Sequence, residues 1–269
     1  MSTRDHKFEV AVDGQRIAGT LVSPKTTIPG VLFVHGWGGS QQQYLARAHE
    51  IAALGCIGLT FDLRGHAKTD SQQETVSRED NLRDVVAAYD ELVNHPMVDA
   101  AAMAVVGSSY GGYLAAILTT LRPVKWLALR VPALYKDEGW NLPKRQLHKD
   151  PDLLAYRRRQ LRAEKNRALK ACAAFKGDIL IVESESDDTV PHETIENYLE
   201  ASKHAHSLTY RVIEGADHGL SQEPAQRAYT ALVVSWLTEM VFGARQGGSV
   251  AKLSANTGAA PREAKPQPG

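Results

Sequence analysis

Ser109 stands in Gly107-Ser108-Ser109-Tyr110-Gly111-Gly112, with a glycine two residues away on either side. A serine hydroxyl becomes a useful nucleophile when it is held in the open and a base takes its proton, with a third group orienting the base. Glycine at 107 and 111 leaves room for a sharp turn that bulkier neighbours would block. The apolar run Ala102-Met103-Ala104-Val105-Val106 before the turn reads as a buried strand, and residues 113–121 after it are apolar enough for a buried helix. Such a strand, turn and helix lift the Ser109 hydroxyl above the sheet edge and aim a positive helix N-terminus at the reacting oxygen. Downstream, Glu185-Ser186-Asp187-Asp188-Thr189-Val190-Pro191 offers carboxylates and Gly215-Ala216-Asp217-His218-Gly219 offers an imidazole. Each follows a strand-like run, so both fall where open α/β sheets collect their ligands, at the carboxyl ends of strands.

The elements needed to carry these loops can be read from periodicity. Residues 8–12 and 16–22 flank Asp13-Gly14 and predict a hairpin. Residues 30–34, 58–61, 126–129, 179–182 and 208–213 predict strands. Helices are expected over 44–54, 81–93, 193–202 and 224–241; in the second, Leu82, Val85, Val86, Tyr89 and Val93 share one face. Strands alternating with helices predict a mostly parallel sheet covered on both faces. Residues 133–175 are far longer than one crossover needs and predict a small helical insertion, placed as a lid over the sheet edge. Its basic part, from Arg157-Arg158-Arg159 to Lys170, is diluted by Glu164, Asp150 and Asp152, which argues against a nucleic-acid or membrane arm. The expected organisation is one domain over residues 1–242 and a disordered tail over 243–269, which has almost no apolar residue after Leu253.

Composition narrows the partners. Among 269 residues, Lys plus Arg equals Asp plus Glu at 31 each, so no net field recruits nucleic acid or an acidic membrane surface. No apolar run approaches the ~20 residues of a membrane helix. The N-terminal stretch lacks the apolar segment of a secretory signal, so a cytoplasmic location is expected. Two cysteines, Cys56 and Cys172, are too few for a disulfide framework and are expected to be reduced and buried. His192-Glu193-Thr194-Ile195-Glu196 lacks the second histidine of a zinc-protease helix, His204-Ala205-His206 has no ligand cluster beside it, and residues 36–40 lack a phosphate-loop lysine. No metal and no cofactor are expected. A homodimer through an edge strand or the last helix is left open.

The serine turn, the Asp187-Asp188-Thr189-Val190-Pro191 loop and the Asp217-His218-Gly219 loop together resemble the α/β-hydrolase superfamily, over roughly residues 8–241. The likeness is to its serine esterases and to its dienelactone-hydrolase-like and prolyl-oligopeptidase-like branches. The resemblance implies a mostly parallel eight-stranded sheet and a Ser109, Asp187, His218 triad, with Asp188 as the alternative acid. It also implies an oxyanion hole from the backbone N–H groups of Tyr110, after the nucleophile, and of Trp37, in His35-Gly36-Trp37-Gly38-Gly39. His35, and Asp62, Arg64 and His66 of Phe61-Asp62-Leu63-Arg64-Gly65-His66, are expected to brace loops, Asp62 pairing with Arg64 across a turn. A serine at position 109 argues against the aspartate- and cysteine-dependent branches. The function implied is hydrolysis of a small or medium carboxylic ester through an acyl-enzyme. A serine peptidase, thioesterase or acyltransferase on the same triad is the alternative, and a non-catalytic small-ligand receptor is the remoter one. Leu134, Tyr135, Trp140 and Leu142 of the insertion are expected to shape an apolar acyl pocket.

Overall fold

The structure is a computed structural model that describes residues 3–12, 15–24, 27–147 and 149–256; the Asp13-Gly14 turn and the chain beyond residue 256 lie outside the described residues. Strands β1 (Thr3–Val12) and β2 (Gln15–Pro24) pair antiparallel as the expected hairpin. The remaining strands, β3 (Ile28–Val34), β4 (Ile57–Thr60), β5 (Val98–Ser108), β6 (Trp126–Arg130), β7 (Asp178–Ser184) and β8 (Ser207–Ile213), form one sheet in the order β4-β3-β5-β6-β7-β8. Every neighbouring pair in that sheet is parallel. The described residues thus hold eight strands, but divided: six in the main sheet and two in a separate hairpin.

The crossovers are helical. They carry α1 (Gln42–Ala53), α2 (Arg78–Val93), α3 (Tyr110–Leu118), α4 (Lys144–Leu147), α5 (Leu153–Arg157), α6 (Arg167–Ala174) and α7 (His192–Ser202), and a last helix, α8 (Glu223–Asn256), follows β8. α2 starts at a capping box in which Ser77 and Asp80 satisfy each other's backbone N–H groups, a device worth about 1 kcal/mol. α8 continues to Asn256, beyond the end expected near residue 241, because no proline interrupts the chain there.

Two cores sit on opposite faces of the sheet. Along β5, Met103 and Val105 join Leu82, Val85, Tyr89 and Leu114 in one, while Ala102, Ala104 and Val106 join Tyr44, Ile51, Tyr229 and Trp236 in the other. This is the period-two alternation of a strand covered on both sides. Burying a side chain such as Leu114 contributes about 1.5–3 kcal/mol. All nine residues of α3 are buried, so the helix behind Ser109 is enclosed by protein.

Chain order places the site. From β3 the chain moves outward to edge strand β4, then returns to β5 on the other side of β3. The loops leaving β3 and β5 therefore diverge at a topological switch point, the crevice where such sheets bind ligands. The register aligns Val34 with Gly107, which sets the His35–Gly39 loop beside the serine turn.

The insertion is helical, as expected, but it is knitted into the body. Arg78, fully buried, donates to the carbonyls of Lys136 and Glu138, both at 2.6 Å. Asn166 donates to Tyr135 O at 2.8 Å, and Tyr198 Oη donates to Ala133 O at 2.9 Å. Leu134 and Tyr135 are consequently core residues.

Candidate active site

Ser109 occupies a strained backbone position, with φ 52° and ψ −119°. A non-glycine residue pays about 1–3 kcal/mol for such a conformation and holds it only when surroundings insist. Here they do. The Ser109 N–H donates to Arg130 O at 2.9 Å, and its carbonyl accepts from Tyr113 N and Ala133 N, each at 3.0 Å. The glycines are sterically required: a Cβ on Gly111 would lie 2.2 Å from Val34 O and 2.4 Å from His35 O, and one on Gly107 would lie 2.6 Å from Gly111 O.

The loops after β7 and β8 bring the other two groups in. His218 Nε2 lies 3.0 Å from Ser109 Oγ, and its Nδ1 lies 2.7 Å from Asp187 Oδ2. With the carboxylate fixing the Nδ1 proton, Nε2 faces the hydroxyl as an acceptor. The Asp187 side chain is only 3% exposed, and its other oxygen accepts from Thr189 N and Val190 N, both at 2.8 Å. Asp188 is exposed and bonds the Thr189 hydroxyl instead. The structure thus brings Ser109, His218 and Asp187 into one hydrogen-bonded line and leaves Asp188 out. The insertion supports the acid loop, since Arg157 Nη1 donates to Thr189 O at 2.8 Å.

The loop after β3 is braced by two histidines. His35 Nε2 accepts from Leu63 N at 3.0 Å and its Nδ1 donates to Gly36 O at 2.8 Å. His66 Nε2 accepts from Gly38 N at 3.0 Å. Burial holds both imidazoles below the usual histidine range, so both stay neutral acceptors. Trp37 packs edge-on against His66 and Tyr110, with ring centroids 4.8 and 5.7 Å apart. Asp62 and Arg64 do not pair with each other: Asp62 accepts from Gln41 N and Nε2, while Arg64 binds Asp84 at 2.5 Å, because the facing helix α2 offers a better-placed carboxylate.

Ser109 and His218 open into a cleft of about 270 Å³, which Trp37 also lines. Its walls are not those expected. None of its lining residues comes from 133–175; α1 and α8 supply Arg47 and Tyr229 instead, and Arg130 closes the floor at the end of β6. Trp140 stacks on Arg167 with 3.8 Å between guanidinium carbon and ring centroid, and Tyr135 and Leu142 line a separate cavity of about 300 Å³ within the insertion, so the expected residues do not wall the Ser109 cleft. Both arginines escaped the sequence argument, yet each left a trace. Arg47 shares the buried face of Tyr44 and Ile51, at spacings of three and four, and Arg130 ends an otherwise apolar strand at the carboxyl edge.

Lys144 was missed too. It is fully buried, its ammonium 4.6 Å from the Trp37 ring, 4.7 Å from Tyr110 and 4.6 Å from Tyr135, and burial pulls it well below the usual lysine range. Cys56 and Cys172 are free and buried, and burial pushes the Cys172 thiol up to about 12. Among the described residues no cluster of His, Cys, Asp and Glu could hold a metal, and no helix is long and apolar enough to cross a membrane.

A parallel sheet between two helical layers, with a strained serine turn at the switch point, defines an α/β-hydrolase. Solved structures agree on the fold. One of two metagenome-derived lipolytic enzymes, LipS and LipT, aligns with a TM-score of 0.62 at 19% identity, covering 80% of this chain and 95% of that one. Dienelactone hydrolase from Anabaena variabilis aligns with a TM-score of 0.58 at 21% identity, over 88% and 98%. The acylaminoacyl peptidase of Pyrococcus horikoshii aligns with a TM-score of 0.59 at 14% identity, over 90% of this chain but 42% of that one. No curated protein sequence matches the chain. The sequence profile of the prolyl oligopeptidase family matches residues 42–243, and the chain belongs to that family, as a hydrolase of the α/β-hydrolase class.

Proposed function

We propose that the protein is a serine hydrolase that cleaves a carboxylic ester of a small substrate through an acyl-enzyme on Ser109. One observation carries this reading: the continuous contact from Ser109 Oγ through His218 to Asp187, at 3.0 and 2.7 Å. His218 Nε2 takes the Ser109 proton as Oγ attacks the carbonyl carbon, and Asp187 stabilises the imidazolium that forms. The carbonyl oxygen becomes an oxyanion held by the backbone N–H groups of Tyr110 and Trp37, each worth about 3 kcal/mol in such a position. Tyr110 begins α3, where an N–H has no carbonyl one turn earlier in the helix to bond. His218 then returns its proton to the departing alcohol, and water repeats the sequence on the acyl-enzyme.

Amide cleavage is the second reading, favoured by the prolyl oligopeptidase family itself. A series of p-nitrophenyl esters from acetate to dodecanoate, with Ser109→Ala beside the wild type, tests the first. Ester turnover that drops about a thousandfold or more in the variant is expected. Absence of turnover on every ester, with cleavage of acyl-peptide p-nitroanilides instead, would overturn the ester reading for the amide one.

A further inference from the structure

Arg47 is a buried cation with no ion-pair partner among the described residues. Its side chain lines the cleft that holds Ser109 and His218, and the residue is 8% exposed. Nη1 donates to Gln43 O at 2.7 Å, whereas Nε is buried without a hydrogen-bond partner. Among the described residues no carboxylate pairs with it; its guanidinium rests against the ring faces of Tyr44 and Tyr229, 5.5 and 4.7 Å from their centroids. The Tyr229 hydroxyl, on the same cleft, is also buried without a partner.

The surrounding charges do not compensate. Arg130, 6% exposed, is the second cation on the cleft wall, and its three hydrogen bonds go to neutral oxygens, those of Ser108, Ser184 and the His218 carbonyl. No Asp or Glu lines the cleft. Burial pushes the Tyr44 hydroxyl up to about 12, so it brings no negative charge at neutral pH. Asp187, the carboxylate of the triad, is engaged by His218, Thr189 and Val190. Burying cations that have no carboxylate partner among the described residues is costly, and an anion that enters and takes up the unused donors relieves that cost. A guanidinium presents a planar fork matched to a carboxylate, and stacking on two rings fixes that fork in advance.

We infer that the Ser109 cleft selects esters that carry a carboxylate, bound by Arg47 and the Tyr229 hydroxyl. This rests on Ser109 being the nucleophile of an esterase. At about 270 Å³ the cleft is at the small end of ligand sites (~300–1,000 Å³), so the substrate is a short acid half-ester and not a lipid.

The test compares p-nitrophenyl hemiglutarate with p-nitrophenyl valerate, which match in chain length and differ in the terminal carboxylate. The wild type should favour the hemiglutarate in kcat/KM by about tenfold to a hundredfold, the range of a hydrogen bond to a charged group. That ratio should collapse in Arg47→Gln, recover in part in Arg47→Lys, and shrink as salt is raised. Glutarate should inhibit wild-type turnover of the valerate ester, and uncharged glutaramide should not; this arm needs no variant to fold. Equal or better turnover of the valerate, or a ratio untouched by Arg47→Gln, would overturn the inference and leave the esterase reading standing. If no ester is turned over, the esterase reading fails, and calorimetry still decides this one: glutarate must bind the wild type and bind Arg47→Gln at least tenfold more weakly.

Discussion

Arg130 holds the backbone of His218. Its Nη2 donates to the His218 carbonyl at 2.9 Å, while Nε and Nη1 reach the Ser108 and Ser184 hydroxyls at 3.3 and 3.2 Å. One guanidinium therefore ties the ends of three adjacent strands to the loop that carries the imidazole. Removing it leaves His218 Nε2 free to drift from Ser109, and small drifts are expensive in catalysis. Arg130→Met is expected to lower kcat on a neutral ester about tenfold to a hundredfold, with KM moving less and Arg130→Lys recovering part of the loss. Steady-state kinetics of the three proteins on one neutral ester checks this.

The two adjacent aspartates of the acid loop should separate cleanly. Asp187 is enclosed and bonded to His218 Nδ1, whereas Asp188 is exposed and bonds only the Thr189 hydroxyl. Asp187→Asn keeps the volume but presents an amide that favours the wrong imidazole tautomer, and a loss of about ten-thousandfold in kcat is expected. Asp188→Asn should stay within about threefold of the wild type. Comparable losses in both variants, measured under saturating substrate, would refute the assignment.

Acid should loosen the protein through the two bracing histidines. Burial lowers the affinity of His35 and His66 for protons in the folded state, while in the unfolded chain both titrate near the ordinary ~6.5. Below that pH the unfolded chain binds protons that the folded chain refuses. The stability these groups contribute is thus complete above about 6.5 and is lost as pH falls through their depressed folded values. Each adds at most about 1.4 kcal/mol per pH unit to the slope. Urea unfolding at pH 8, 6.5 and 5 should show falling midpoints, and His66→Asn should flatten the fall. A midpoint independent of pH, or a slope identical in the variant, would exclude this account.

Much of the site was legible because its signals are local. The glycines around Ser109 are forced by contacts within a few residues or one strand away, such as the 2.2 Å approach that a Gly111 side chain would make to Val34 O. The Asp187 and His218 loops follow strands whose apolar runs mark them as buried. What stayed hidden depends on distant partners. Arg47 lies buried because Tyr229, on the last helix, covers it. The insertion's aromatic residues suggested a pocket wall, but Arg78 and Asn166 turn their backbone into the core. Arg64 chose Asp84 over Asp62 because α2 packs beside it. Likewise, turn chemistry specifies a hairpin, but whether its outer strand joins the main sheet is decided by hydrogen bonds between segments far apart in the chain.

The parts of this site are also ordered in time. A chain emerging from its N-terminus completes β3, β5 and the Ser109 turn well before it makes Asp187, His218 or Tyr229. Until the loops after β7 and β8 exist, the serine has neither base nor orienting acid, and until α8 packs against α1 the cleft has no outer wall. On the proposed mechanism the nascent protein therefore carries an inert hydroxyl until His218 and Asp187 are in place, and its cleft is completed only when the last helix docks.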